Sequence, residues 1–376
     1  MELTLLAADE NRVKKEFAEL ISIDAESLHE RKMEDRLTEK LTELGFYVEE
    51  DDAGNALGGE AGNLFARLSG GLPGRPILLS GHMDTVQPGV GKRAVFHPDG
   101  TVTSDGTTVL GGDDMTGVCA ILEGIRITRE AGLLHRDLEV VFSPAEELYC
   151  RGAALFGRTK LTAEAGFVLD VSGPVGTAVV KAPSIVSFRV VIRGRAAHAG
   201  FEPEKGIHSI QIMSRGISRL PLGRLDADTT LNIGLISGGT VTNAVPAECV
   251  AEGEIRSFVH GKAMAALETV RRIFEEEAEN AGAQAEITHL VNFRAFRLPA
   301  DSTPLSCFRS ACAVLGKTPE FTETFGGSDA NCFSDFGVPT AVLSCGMYDC
   351  HTTAEHASIP DILDAAALIS LLIRSA

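Results

Sequence analysis

Residues 76–89 read PILLSGHMDTVQPG: an apolar run that ends on His82 and Asp84. Ile77, Leu78 and Leu79, bounded by Pro76 and Gly81, read as a buried strand. A titratable ring and a carboxylate follow at once, where burial is costly unless they are paired or bound.

The arrangement recurs along the chain. LEVVFSP (138–144) runs into Ala145, Glu146 and Glu147, GFVLD (166–170) ends in Asp170, and AVLSCGMYDC (341–350) runs into His351. In open α/β sheets the ligand crevice lies outside the carboxyl ends of the strands. A fifth segment, GGDDMTG (111–117), sets Asp113 and Asp114 at a helix start. Carboxylates there are favoured by the helix dipole or held by a metal.

Between these points, NRVKKEFAELISI (11–23), ERKMEDRLTEKLTELGF (30–46) and MTGVCAILEGIRITREAG (115–132) have helical spacing. GNLFARL (62–68) reads as a further strand. Strands alternating with helices predict an α/β fold whose sheet is mixed but largely parallel, flanked by helices. From residue 182 the pattern changes to strand (184–194), helix (206–220), two strands (229–239 and 247–258), a long helix (261–282) and a strand (284–293). This βαββαβ order predicts a separate α+β unit, residues 182–292, inserted as a lid into a catalytic domain of 1–181 and 293–376.

Composition narrows the function. The 376 residues carry a formal charge of −18, which argues against nucleic acid as a partner. No stretch approaches the roughly 18 apolar residues of a membrane span. MELTLLAADENRVKKEF (1–17) has too short an apolar run for a signal peptide. Eight scattered cysteines with no CxxC pair read as reduced thiols in a cytoplasmic protein.

Two histidines and several carboxylates converging on one sheet edge would repel and desolvate one another without cations. Histidine plus carboxylate with no thiolate suits a hydrolytic Zn²⁺, Co²⁺ or Mn²⁺ site. The spacing accommodates two ions: His82 and Asp170 on one, Glu147 and His351 on the other, Asp113 between them, and a shared water. Asp84 then orients His82, and Glu146 is left to take the water's proton.

SGHMDTV, GGDDMTG, SPAEE, LDVSG and HTTAEHASI, in that order, resemble the dinuclear zinc exopeptidase family. That family includes peptidase T, the glutamate carboxypeptidases, aminoacylase and succinyl-diaminopimelate desuccinylase, and the peptidase T-like branch is the most similar. The resemblance implies a catalytic α/β domain with an inserted lid. His82, Asp113, Glu147, Asp170 and His351 become metal ligands, Glu146 the general base and Asp84 the support of His82. It also implies a cis peptide between Asp113 and Asp114. In the lid, AAHAGFEPEKG supplies His198, similar to a transition-state oxyanion donor, TNAVP supplies Asn243, and GEIRSF supplies Arg256, similar to an arginine that grips a substrate carboxylate. FGGSDANCF (325–333) reads either as a pocket-lining loop or as a plain turn.

The implied activity is hydrolysis of the N-terminal bond of short peptides by a metal-bridging hydroxide. Asp at position 170 favours an aminopeptidase, because the family's carboxypeptidases and deacylases usually carry Glu there. An N-acyl-amino-acid amidohydrolase or a carboxypeptidase uses the same chemistry. From another class, a non-catalytic peptide-binding protein would lack ligands or base, and here all six positions are filled. The chain is shorter than typical peptidase T tripeptidases, which argues against strict tripeptide specificity. A homodimer through the lid is the further expectation.

Overall fold

The computed structural model describes residues 3–375. The chain forms two compact units, one of residues up to Lys181 and from Arg297 onward, the other Ala182–Phe296. The second crossing lies four residues beyond the expected 292/293. There Phe296–Arg297, just past the last strand of the second unit, is already an edge strand of the first unit's sheet.

That sheet has nine strands. Across it run Tyr47–Glu50, Leu64–Leu68, Leu138–Ser143, Ile77–His82, Ala165–Val171, Thr340–Ser344, Thr177–Ala182 and Phe296–Arg297, with Glu320–Glu323 paired to Thr177–Ala182. The sheet is mixed, and its four middle neighbours, 138–143, 77–82, 165–171 and 340–344, run parallel. These are the four apolar runs that end in polar residues. Pairing His82 with Ser143 puts their carboxyl ends level.

The helices are Glu10–Ile21, Arg31–Glu43, Gly112–Glu130, Thr303–Leu315 and Ile359–Leu372, with shorter ones between. Gly112–Glu130 is buried along most of its length, and its buried Glu123 is paired with Arg12 and Arg126. It packs on Ile359–Leu372 at Gly124, where a Cβ would fall 2.6 Å from the Ala366 carbonyl oxygen. Phe65, Phe142 and Phe167 are fully buried in this unit. Each such side chain contributes about 1.5–3 kcal/mol by leaving water.

A second, four-stranded sheet of Met347–Tyr348, His356–Ser358, Thr101–Thr103 and Val95–Phe96 was not legible from periodicity, because its strands have only two or three residues. Tyr348 pairs with His356, which ties together the two ends of the loop that carries His351.

The inserted unit has the βαββαβ order, with one extra two-residue strand. Its antiparallel sheet runs Gly223–Arg224, Thr229–Gly238, Glu248–Ser257, Ser184–Arg193, Gln284–Phe293. Helices Ser209–Arg219 and His260–Ala281 pack on it through Ile212, Met213, Leu267, Val270 and Phe274. Among the described residues no helix is long and apolar enough to cross a membrane.

Candidate active site

His82 is the last residue of its strand, and its two ring nitrogens face different partners. Nδ1–H donates to the Asp84 backbone carbonyl at 2.9 Å, and Nε2 faces Asp113 Oδ1 at 3.0 Å. The first contact fixes the tautomer and leaves the Nε2 lone pair available to a cation. The Asp84 carboxylate lies 3.4 Å from His82 Nδ1. Its closer partners are the backbone N–H groups of Glu146 (2.9 Å) and Glu147 (3.2 Å) and the Ser27 hydroxyl (2.7 Å). Asp84 thus holds His82 through its backbone and the Glu146–Glu147 loop through its side chain.

Asp113 and Asp114 open the helix with non-helical backbone angles, joined by a cis peptide. Glu355 clamps this turn by accepting from the Gly111 N–H at 2.8 Å and the Asp113 N–H at 2.9 Å. Asp114 Oδ2 accepts from the His82 N–H at 3.2 Å, in a slot that only glycine at 81 leaves open, since a Cβ there would lie 2.4 Å from that oxygen. The turn aims the Asp113 oxygens in two directions. Oδ1 faces His82, and Oδ2 lies 3.2 Å from His351 Nε2. His351 Nε2 is also 3.0 Å from Glu147 Oε2. His351 sits at φ 64 in the 349–355 loop, between strands that anchor both of its ends.

Two groups of donors result. His82, Asp113 and Asp170 each offer an atom within 4.8 Å of the others, and so do Asp113, Glu147 and His351. Asp113 belongs to both. Glu147 Oε1 is buried with no hydrogen-bond partner, an acceptor that a cation would satisfy. The donors are imidazole nitrogens and carboxylate oxygens, a set suited to Zn²⁺, Co²⁺ or Mn²⁺. The residues present fit a pair of divalent ions.

The electrostatics agree. Burial would lower His82, yet Asp113 and Asp84 hold its ring well above the usual range. Asp113 and Glu147 push His351 up to about 10. Burial opposes ionisation of Asp113, but His351 and His82 keep its carboxyl below the usual range. Glu146 and Asp170 are driven well up, by burial first and then by neighbouring carboxylates, and Glu147 is raised by burial. Imidazoles drawn toward the charged state by crowded carboxylates are what a bound cation would replace.

Three residues around this site carry no mark of their own in the sequence, although two of them lie inside segments quoted above. Glu30 lies in a run of charged residues that reads as a solvated helix start. It is fully buried, and its Oε1 accepts from the Leu28 N–H (2.7 Å) and the Ala145 N–H (3.0 Å). Glu355 lies inside HTTAEHASI and is buried. Asp329, within FGGSDANCF, begins the short helix Asp329–Asp335, whose Ser328 cap and Asn331 form a capping box, and it is buried.

In the inserted unit His198 is exposed, and its Nδ1 accepts from the Gly200 N–H at 3.1 Å and the Phe201 N–H at 3.2 Å. A nitrogen that accepts carries no proton, so the neutral ring bears its hydrogen on Nε2. The Asn243 carbonyl accepts from the Ala199 N–H at 3.0 Å, which steadies this loop. The Arg256 guanidinium is held by Glu254, Nε to Oε1 at 2.7 Å and Nη2 to Oε2 at 3.2 Å, so a carboxylate ligand would compete with Glu254.

Among known proteins, the M20 peptidase dimerisation domain matches residues 180–282, and peptidase family M28 matches residues 63–199. The YqjE protein of Bacillus subtilis is 38% identical over 98% of this chain and 99% of its own length. The aminopeptidase PepT structure from Bacillus cereus superposes with a TM-score of 0.90 at 36% identity, covering 97% of this chain and 98% of that one. A tripeptidase structure from Staphylococcus aureus gives 0.93 at 32% identity, covering 98% and 99%.

Proposed function

Because the chain belongs to the M20 family of metal-dependent peptidases, in its peptidase T-like branch, we propose that it is an aminopeptidase that removes the N-terminal residue of short, unblocked peptides at a two-ion centre. The observation that carries this reading is Asp113, whose two oxygens face two different histidines. His82, Asp113 and Asp170 would hold one ion, and Asp113, Glu147 and His351 the other. Ions held there would polarise the scissile carbonyl and make water a stronger acid.

The protein's own residues do the rest. Glu146 takes a proton from the attacking water and passes it to the leaving amine. Its burial, which raises its affinity for protons, suits that exchange. Asp84 holds the base in place through the Glu146 and Glu147 N–H groups. His198, with Nε2–H free to donate, is assigned to the developing oxyanion. Arg256, released from Glu254, and Asn243 are assigned to the substrate's far end. The smaller Asp at position 170 leaves room for a free α-amino group.

Length is no objection to tripeptides, since the tripeptidase from S. aureus is matched end to end. The match to a dimerisation domain, with Leu235 and Ile236 standing 67% and 56% exposed on one strand, supports a homodimer through the inserted unit. Eight free cysteines support a cytoplasmic location.

Chelation should abolish turnover, and Zn²⁺, Co²⁺ or Mn²⁺ should restore it. A panel of di- and tripeptides with free and blocked termini tests the substrate. N-acetylation should lower kcat/KM by about tenfold or more, ~1.4 kcal/mol of transition-state binding. Faster cleavage of N-acyl amino acids than of free peptides would replace the aminopeptidase reading with the amidohydrolase one.

A further inference from the structure

A third group meets the same geometric condition as the two described above. Glu146, Cys150 and Asp329 each offer a ligand atom within 4.8 Å of the others. The Cys150 thiol donates to Glu146 Oε1 at 3.1 Å. Asp329 is 1% exposed. Its Oδ2 accepts from the Ser143 hydroxyl, but its Oδ1 is buried with no hydrogen-bond partner.

The backbone is bent to bring the thiol there. Tyr149 and Cys150 are consecutive non-glycine residues at φ 69 and φ 54, in the left-handed region that side chains with a Cβ adopt only under strain. The turn is closed by the Cys150 N–H donating to the Glu146 carbonyl at 2.7 Å and the Arg151 N–H donating to the Ala145 carbonyl at 3.0 Å. Glycine would hold this shape without strain. Cysteine instead adds a thiol directed at Glu146. Strain kept at such a place points to use of the side chain.

We propose that Glu146, Cys150 and Asp329 form a third, inhibitory site for a thiophilic divalent cation, Zn²⁺ or Cd²⁺, whose binding withdraws Glu146 from catalysis. The site is chemically unlike the other two, because it alone contains sulfur. Unlike the nitrogen and oxygen groups it must lose a thiol proton, now donated to Glu146, before it can bind, so a cation fills it from excess after they are loaded. Binding expels the thiol proton to solvent, leaving one thiolate and two carboxylates as donors, with a fourth position for water. A carboxylate engaged by the cation no longer accepts a proton from the attacking water. The inhibitory part rests on the reading of Glu146 as the base, whereas the site itself does not.

Metal-free protein titrated with Co²⁺ tests both parts, followed by near-ultraviolet thiolate-to-cobalt absorption and by equilibrium dialysis. The thiolate band is expected only beyond two equivalents, abolished in Cys150→Ser and retained in Cys350→Ser. Cys150→Ser and Asp329→Asn are each expected to bind two ions where the wild type binds three. Turnover of the wild type should fall by ~10²-fold or more as the third equivalent of Zn²⁺ binds. Each variant, compared with its own turnover at two equivalents, should stay flat. Absence of a third equivalent, or a band that survives in Cys150→Ser, overturns the site. A third ion with its thiolate band and undiminished turnover overturns the inhibition, and with it the role of Glu146 as base.

Discussion

Asp84→Asn is the substitution that best separates metal binding from catalysis. The Asp84 side chain is fully buried and accepts from the Glu146 N–H, the Glu147 N–H and the Ser27 hydroxyl. The asparagine amide has one oxygen, which can serve only one of the two backbone donors. Its NH₂ group then faces the other N–H, while the Ser27 hydroxyl can turn to accept. One buried, charge-assisted hydrogen bond is lost, about 1.5–3 kcal/mol. Relief of repulsion with Glu30 and Glu146, both of which feel the Asp84 charge, offsets part of this. The contact that orients His82 survives, because Nδ1–H donates to the Asp84 backbone carbonyl. The expected variant therefore binds two metal ions with near-normal affinity, and its kcat falls by roughly 10–100-fold because the base is displaced. Metal analysis after dialysis, steady-state kinetics and urea denaturation measure the three quantities. Loss of one metal with unchanged kcat per fully loaded enzyme would refute the reasoning, because it would make the carboxylate, not the backbone, the support of His82.

Glu146→Gln should keep both metals and lose ~10²–10⁴-fold in kcat, since an amide cannot accept the water's proton; near-normal kcat with full metal content would remove Glu146 from the mechanism. His198→Ala should lower kcat more than it raises KM, because an oxyanion donor acts mainly in the transition state, and a change in KM alone would count against that assignment. Glu30 is pushed up to about 7, first by burial and then by the Asp84 charge. A carboxyl raised in the folded state contributes stability that is complete below its ordinary value of 4.5 and is lost as pH rises through about 7. Glu30→Gln, which keeps the Oε1 acceptor, should therefore gain on the wild type across that window, and a stability difference that stays constant from pH 4.5 to 8 would contradict it.

The residues legible in the sequence and those hidden in it differ in one physical respect. His82, Glu147, Asp170 and His351 lie at or beyond the ends of strands that are mostly apolar, so the polar residue stands out against the run before it. The four strands are adjacent and parallel in the sheet, so contrast in sequence becomes proximity in space. Glu30 has no such contrast, because charged residues surround it in the sequence. Its hydrogen-bond donors are the Leu28 and Ala145 N–H groups, the second of them 115 residues away. Glu355 likewise acts 242 residues away, on the Asp113 N–H. Asp84 was legible beside His82, but its further contacts to the Glu146 and Glu147 N–H groups were not. Strand ends thus announce which groups could face a metal. The groups that hold them in place are buried by distant segments, and their own neighbours in sequence carry no trace of it. Substitution at Glu30, Asp84 or Glu355 should therefore disturb the site's geometry although no proposed ligand residue is changed.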